Sequence, residues 1–69
     1  RLITHIRFSI NRMQQNKIIS NPLKEKIQEE FTESYKIAQK IGNIIEKKLN
    51  LKVNEDELGY ITLHLQRLR

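Results

Sequence analysis

Apolar residues recur every three to four positions along almost the whole chain, and this spacing constrains the fold more than any other feature of the sequence. It is the period of an α-helix that buries one face. Strands would need regularly spaced turn residues, but the 69 residues include only two glycines and one proline. The pattern therefore predicts an all-α fold.

The first two helices are separated by a break in this period. The first helix is predicted from about Leu2 to Gln15, and residues 16–20 interrupt the pattern. Asn21 and Pro22 then form a helix start signal, because Asn caps a helix and Pro suits the first helical position. The second helix is therefore placed at about 22–31.

Two more helices follow. Thr32 is a candidate cap for the third helix, or for a kinked continuation of the second, which runs to about Leu49. Asn50 is expected to end it in a left-handed conformation. The sequence from Asn54 to Glu57 resembles a capping box, so the fourth helix is predicted from Glu55 towards residue 69.

Each predicted helix carries one apolar stripe, and together they could close a core. Gly42 lies off the centre of the third stripe, where it would allow a close helix crossing. The prediction is a compact antiparallel bundle of four short helices, with these stripe residues: Leu2, Ile3, Ile6, Ile10 and Met13; Leu23, Ile27 and Phe31; Ile37, Ala38, Ile41, Ile44, Ile45 and Leu49; Leu58, Ile61, Leu65 and Leu68.

Composition limits the class of protein. There is no cysteine, which excludes a disulfide and a zinc-thiolate site and agrees with a reducing cytosol. No stretch approaches the roughly 20 apolar residues of a membrane span. The chain begins inside an amphipathic pattern without Met, so we expect residues 1–69 to be a single domain from a longer protein. A core this small favours association with a partner subunit.

The net charge of +5 raises the question of nucleic-acid binding. The lysines are interspersed with glutamates, which is typical of solvated helix faces. Direct nucleic-acid binding by a small basic helical domain is therefore the alternative function. A purely structural helical fragment is a third.

Both histidines are predicted at the border of an apolar stripe. His5 lies about 100° from the centre of its stripe, in one row with Phe8 and Arg12. His64 lies about 80° from its own centre, on a flank with Glu57. Such a histidine is most often an ordinary surface residue, but an exposed Phe beside a His and an Arg is a candidate contact surface.

Motifs of catalysis and metal binding are missing from the sequence. It has no nucleophile elbow, Gly-rich phosphate loop or HExxH motif. A metal site needs three or four ligands, which two histidines and a carboxylate would approach only if the helices brought them together. We therefore expect no enzyme activity, catalytic residue, metal or cofactor.

Three segments resemble one known family. Residues 4–12 read THIRFSINR and are similar to a family helix of pattern DHIxFAIxR. Residues 21–23 are similar to the start of its next helix, and residues 54–65, NEDELGYITLHL, to its pattern PxDExGYIxLHL. With matching order and spacing, the chain resembles the PTS regulation domain, the duplicated helical module of bacterial antiterminators related to BglG, LicT and SacY and of related activators.

The resemblance implies a function. Domains of this family dimerise, and two histidines, here His5 and His64, are phosphorylated by the sugar phosphotransferase system through HPr or a sugar-specific EIIB. Phosphorylation controls dimer association, and so a separate RNA-binding domain, or a DNA-binding domain in the activators. A cytoplasmic location follows. Arg12, Arg67 and Glu57 are candidates to support the phosphate or the interface.

The sequence departs from the family pattern at three points. Thr4 stands where the family usually has an Asp that orients the first histidine, and Asn54 stands where Pro is common. The first helix of the family has no counterpart. The expected structure is therefore the family fold without that helix.

Overall fold

The computed structural model describes residues 2–17 and 19–68, with Leu2 described in its backbone only. It contains four helices: α1 (Leu2–Gln14), α2 (Lys24–Glu30), α3 (Thr32–Leu49) and α4 (Glu55–Arg67). These residues include no strand, so the predicted all-α bundle is confirmed. The centre of the fold is α4, on which α1, α2 and α3 all pack, whereas α1 contacts no other described helix.

The packing of α3 on α4 is antiparallel. Ser34 Oγ donates a hydrogen bond to Gln66 Oε1 over 2.9 Å. Eight residues further along α3, Gly42 faces Leu58, which lies eight residues earlier on α4. A Cβ on Gly42 would come within 2.9 Å of the Leu58 side chain, so the glycine does allow a close helix crossing, as predicted.

Left-handed asparagines follow two of the helices. Asn16 has φ 57° beyond the end of α1, where Lys17 N–H donates to Arg12 C=O over 2.9 Å and Asn16 N–H to Met13 C=O over 3.1 Å. These two bonds form a Schellman motif. Asn50, with φ 54°, ends α3 as predicted.

The start of α2 was predicted two residues too early. Asn21 Oδ1 accepts a hydrogen bond from Leu23 N–H at 3.1 Å, and Asn21 C=O accepts one from Lys24 N–H at 3.2 Å. The bond from Lys24 spans three residues and closes a tight turn, so the α-helix begins only at Lys24. The side chain of Asn21 therefore stabilises this turn.

The predicted cap at Thr32 is wrong. Its hydroxyl donates to the carbonyl oxygens of Gln28 and Glu29, at the end of α2. The residue that precedes α3 is Phe31, and it provides no side-chain cap. The hydroxyl thus satisfies carbonyl groups that the end of α2 would leave unpaired.

The buried apolar residues are Ile27, Tyr35, Ala38, Ile45, Val53 and Ile61, of which Ile27, Ala38, Ile45 and Ile61 were predicted. Other stripe residues are exposed, and their prediction is wrong: Ile3, Leu23, Ile37, Ile44, Leu49 and Leu68. Leu23, Leu49 and Leu68 flank or end helices. Ile37 and Ile44 lie on a face of α3 that no described helix covers. The side chain of Leu2, and the expected extension of α4 to Arg69, lie outside the described residues.

Candidate functional site

His5 and His64 meet at the interface between α1 and α4. The two helices are antiparallel, which brings the first half of α1 beside the second half of α4. The imidazole rings stack with 3.6 Å between their centroids and 13° between their planes. Both side chains are half-buried, as their positions beside the apolar stripes predicted. The sequence placed each ring on a flank but gave no indication that the two rings touch.

The environment of the stacked pair favours neutral imidazole at His64. Burial lowers the pKa of His64 below its ordinary value of 6.5, and the nearby His5 and Arg67 lower this pKa further. A ring that is neutral at pH 7 has a nitrogen lone pair available as a nucleophile or hydrogen-bond acceptor. The ring of His64 is therefore chemically suited to accept an electrophilic group.

Two turns away, Arg12 and Glu57 form the second contact between these helices. Arg12 Nε donates to Glu57 Oε2 at 3.1 Å, and Arg12 Nη2 donates to Glu57 Oε1 at 2.8 Å. The hydrogen bond with Glu57 and its negative charge raise the pKa of Arg12, against the opposing effect of burial. Glu57 is 1% exposed, so this is a nearly buried carboxylate with a bidentate partner.

Of the two hydrogen bonds expected in the predicted capping box, the structure shows one. Asn54 Oδ1 does accept a hydrogen bond from Glu57 N–H, at 2.9 Å. The reciprocal bond from the Glu57 carboxylate is not made, because that carboxylate accepts from Arg12 instead. Glu57 therefore connects α1 to the start of α4.

Ser9 lies between the two contacts and was missed by the sequence analysis. It is 3% exposed, and its Oγ accepts a hydrogen bond from Arg12 Nη2 at 3.1 Å. His5, Ser9 and Arg12 recur at helical spacing, so a polar row of α1 faces α4. Together with His64 and Glu57 these residues form what we call the polar interface.

The apolar stripe predicted for α1 is rotated away from α4. Ile3 is 73% exposed and Phe8 57% exposed, whereas Ile6, Ile10 and Met13 are half-buried. The helical-wheel prediction assumed that apolar side chains mark the packed face of α1. In the structure, polar side chains pair across the interface between α1 and α4. Phe8 is exposed as expected, and its role as a contact residue stays a prediction.

The candidate phosphate partners occupy different places. Arg67 is exposed on α4, one turn beyond His64, and is near enough to affect its pKa. Arg12 lies seven residues after His5, about 10 Å along the helix axis, and is paired with Glu57. Of these two arginines, Arg67 is the better placed to meet a charge on His64.

Although the two histidines meet, residues 2–17 and 19–68 contain no group of three His, Cys, Asp or Glu side chains that could hold a metal ion. In the same part of the chain, no helix has the length and apolar character needed to cross a membrane.

Comparisons with known proteins give matches over most of the chain. The family model described as PRD domain matches residues 1–68. The protein named GlcT of Staphylococcus haemolyticus strain JCSC1435 is 36% identical over 64 residues, covering 93% of this chain and 22% of that protein. GlcT of Staphylococcus saprophyticus strain ATCC 15305 is also 36% identical, over 93% of the chain and 23% of the relative. GlcT of Staphylococcus aureus strain JH9 is 34% identical over the same shares.

The chain spans less than a quarter of the length of these relatives. No solved structure gives a significant match to it. The family assignment therefore depends on the match of almost the whole chain to the family model and on identities above 30% to these relatives. The chain belongs to the PRD domain family, the PTS regulation domains.

Proposed function

We propose that this chain is the phosphorylation-controlled regulatory module of a bacterial transcription antiterminator. In this proposal HPr or a sugar-specific EIIB transfers a phosphoryl group to His5 or His64, and the modification changes dimer association in the cytoplasm. A separate RNA-binding domain then prevents termination of transcription. The observation that carries the proposal is the stacking of the two histidine rings at 3.6 Å.

The transfer step needs a neutral ring. An imidazole nitrogen uses its lone pair to form a bond to phosphorus, while the bond between phosphorus and the donor breaks. The lowered pKa of His64 keeps its ring neutral at the pH of the cytoplasm. This feature favours His64 as an acceptor, with Arg67 one turn away as a partner for the new negative charge.

Phosphorylation of either ring would change the polar interface. A phosphoryl group carries a charge of about −1.5 to −2 at pH 7 and three acceptor oxygens. It does not fit the 3.6 Å space between the rings, so it must project from the pair or separate α1 from α4. A local charge is thereby coupled to the position of a helix.

The surroundings of the pair support a role in association. Exposed apolar side chains lie close in sequence to each histidine: Ile3 and Phe8 on α1, and Leu68 after α4. Exposed apolar side chains are typical of interaction sites where they form a contiguous patch. We infer that a second copy of the module, or the phosphate donor, covers them.

The test is phosphoryl transfer to the full-length protein. It is incubated with enzyme I, HPr, a candidate EIIB and labelled phosphoenolpyruvate, beside the variants His5→Ala and His64→Ala. We expect acid-labile label that falls in one or both variants, together with a changed dimer fraction by analytical ultracentrifugation. Lys17→Ala, at an exposed position after α1, is the control and should be labelled normally.

Two results would contradict the proposal. One is equal labelling of the wild type and of a variant that lacks both histidines. The other is normal labelling with no change in association or in antitermination of a reporter transcript. Salt-sensitive binding of RNA or DNA by this chain itself would instead support the alternative of direct nucleic-acid binding.

A further inference from the structure

The two polar contacts between α1 and α4 have the same spacing on both helices. Arg12 follows His5 by seven residues on α1, and His64 follows Glu57 by seven residues on α4. Because these helices are antiparallel, a single alignment of α1 along α4 makes both contacts at once. A slip of one helical turn would move the facing side chains by about 5.4 Å along the axis and break both contacts.

Apolar packing of α1 on α4 does little to select this alignment. Ile6, Ile10 and Met13 are only half-buried, and none of the described residues of α1 belongs to the buried apolar core. The most buried described residue of α1 is polar, namely Ser9 at 3% exposed. Since apolar contacts are non-directional, a neighbouring alignment of the two helices would retain much of their stabilising effect.

The ion pair between the helices is more selective than these apolar contacts. The Glu57 carboxylate is 1% exposed, and it accepts hydrogen bonds of 3.1 and 2.8 Å from two nitrogens of Arg12. Arg12 Nη2 also donates to Ser9 Oγ at 3.1 Å, and Glu57 N–H donates to Asn54 Oδ1 at 2.9 Å, so both partners are held in place. Any other alignment would leave a buried carboxylate without its guanidinium, which is strongly unfavourable.

We propose that the Arg12–Glu57 ion pair sets the alignment of α1 on α4 and thereby positions the two histidine rings against each other, about 10 Å away. Polar groups buried between helices are best known for fixing helix register rather than for adding stability. In this role Arg12 acts through the alignment of α1 and does not touch a phosphoryl group. The consequence for phosphoryl transfer rests on the proposed function, but the positioning of the rings does not.

The first test observes the histidine pair directly by NMR of the full-length protein, with isotope label in the histidine rings. The signals of His5 and His64 are identified with the variants His5→Gln and His64→Gln. We expect a nuclear Overhauser effect between the two rings in the wild type, and its loss when Arg12→Met is combined with Glu57→Met. The pKa of His64 should also rise towards 6.5 in that double variant, because the nearby His5 contributes to lowering it.

The double methionine variant separates positioning from stability. It removes both charges and keeps apolar side chains of similar length, and such replacements of a buried ion pair are often neutral or stabilising. We therefore expect circular dichroism to show a folded protein in which the contact between the rings is nevertheless lost. The control is Lys24→Met, which breaks the 3.3 Å ion pair of Lys24 with Asp56, next to Glu57 on α4, and should leave the ring contact unchanged.

The second test measures the kinetics of phosphoryl transfer to the same variants. We expect the double variant to lower kcat by about tenfold or more, because a displaced ring is poorly aligned with the donor. KM for the phosphate donor should change by less than about twofold, since neither substituted residue contacts the donor in this proposal. Glu57→Met alone should also lower kcat, whereas an Arg12 that bound the phosphoryl group directly would be freed by this substitution and leave transfer intact.

A ring contact and a His64 pKa equal to those of the wild type in the double variant would overturn the proposal. Apolar packing, or another segment of the full-length protein, would then set the alignment of α1. Loss of the ring contact in Lys24→Met to the same extent would overturn it as well. If no donor labels the wild type, the proposed function fails, and the NMR result still decides whether the ion pair positions the rings.

Discussion

The carboxylate of Glu57, which is 1% exposed, accepts two hydrogen bonds from the guanidinium of Arg12. Removal of the arginine would leave a buried charge without its partner, and this costs more than the pair itself contributes. We expect Arg12→Met to lower the free energy of unfolding by about 2 to 4 kcal/mol, measured by urea denaturation followed by circular dichroism. Arg7→Met, at an exposed site on the same helix, should change it by less than about 0.5 kcal/mol.

A double variant separates the ion pair from general packing. Arg12→Met with Glu57→Met removes both charges, so we expect it to be more stable than Arg12→Met alone. If the double variant instead loses the sum of the two single losses, Arg12 and Glu57 act independently. The bidentate geometry would then not be a source of stability.

The depressed pKa of His64 predicts a pH dependence of stability. Unfolding restores the ordinary value of 6.5, so below that pH the unfolded chain binds more protons than the folded one. The contribution of neutral His64 to stability should be complete above pH 6.5. It should be lost as the pH decreases from 6.5 through the lower pKa of the folded state. Urea denaturation between pH 7.5 and 5.5 would measure this slope, and His64→Gln should flatten it. An equal slope in that variant would show that other groups dominate.

Much of the fold could be predicted from the sequence because it depends on local chemistry. The bounds of α3, the left-handed Asn50 and the cap at Asn54 follow from residues within one or two turns. The polar interface could not be predicted in the same way. Which residues meet across α1 and α4 depends on the antiparallel register, and the helical wheel ranked Ile3 as packed and overlooked Ser9.

Part of the candidate site could likewise be predicted from local sequence. Each histidine could be placed beside an apolar stripe, and the resemblance of two helices to family patterns identified both. Their stacking depends on tertiary geometry. Arg12 and Glu57 were both named from the sequence as candidates to support the phosphate or the interface, but they are 45 residues apart in the chain, and nothing in their spacing indicates that they pair with each other.

The two glycines are expected to respond differently to alanine. A Cβ at Gly42 would come within 2.9 Å of a terminal methyl group of Leu58 and make ordinary contacts with Val53, whereas one at Gly59 would come within 2.5 Å of the Asn21 amide nitrogen. Asn21 is buried, and its side chain holds the turn before α2. Alanine gains about 1 kcal/mol of helix propensity at either site. We expect Gly42→Ala to be within about 1 kcal/mol of the wild type and Gly59→Ala to lose about 1 to 2 kcal/mol.

Thermal denaturation of both glycine variants checks this expectation. Gly59→Ala combined with Asn21→Ala should recover part of the loss if the clash is its cause, although the second substitution removes the bond to Leu23 N–H. A stability of Gly59→Ala equal to that of Gly42→Ala would mean that Asn21 moves without cost.

The attachment of α1 to α4 alone predicts local opening of this helix. Among the described helices it has no second neighbour, and its contacts with α4 include the Arg12–Glu57 ion pair and the stacked histidine rings. Segments with few apolar contacts open with less free energy than the whole domain. We therefore expect the amides of α1 to exchange with solvent at least about tenfold faster than those of α3 and α4, measured by hydrogen exchange and mass spectrometry. Under the proposed function, opening of this kind would free the ring of His64 for the phosphate donor.

Arg12→Met should accelerate exchange in α1 with little effect on the centre of α3, because it breaks one of the contacts that hold α1. Lys26→Ala, at an exposed site on α2, is the control and should leave exchange in α1 unchanged. Protection of α1 equal to that of α4 in the wild type would contradict local opening. The histidine pair would then become accessible only through exposed ring edges or unfolding of the whole domain.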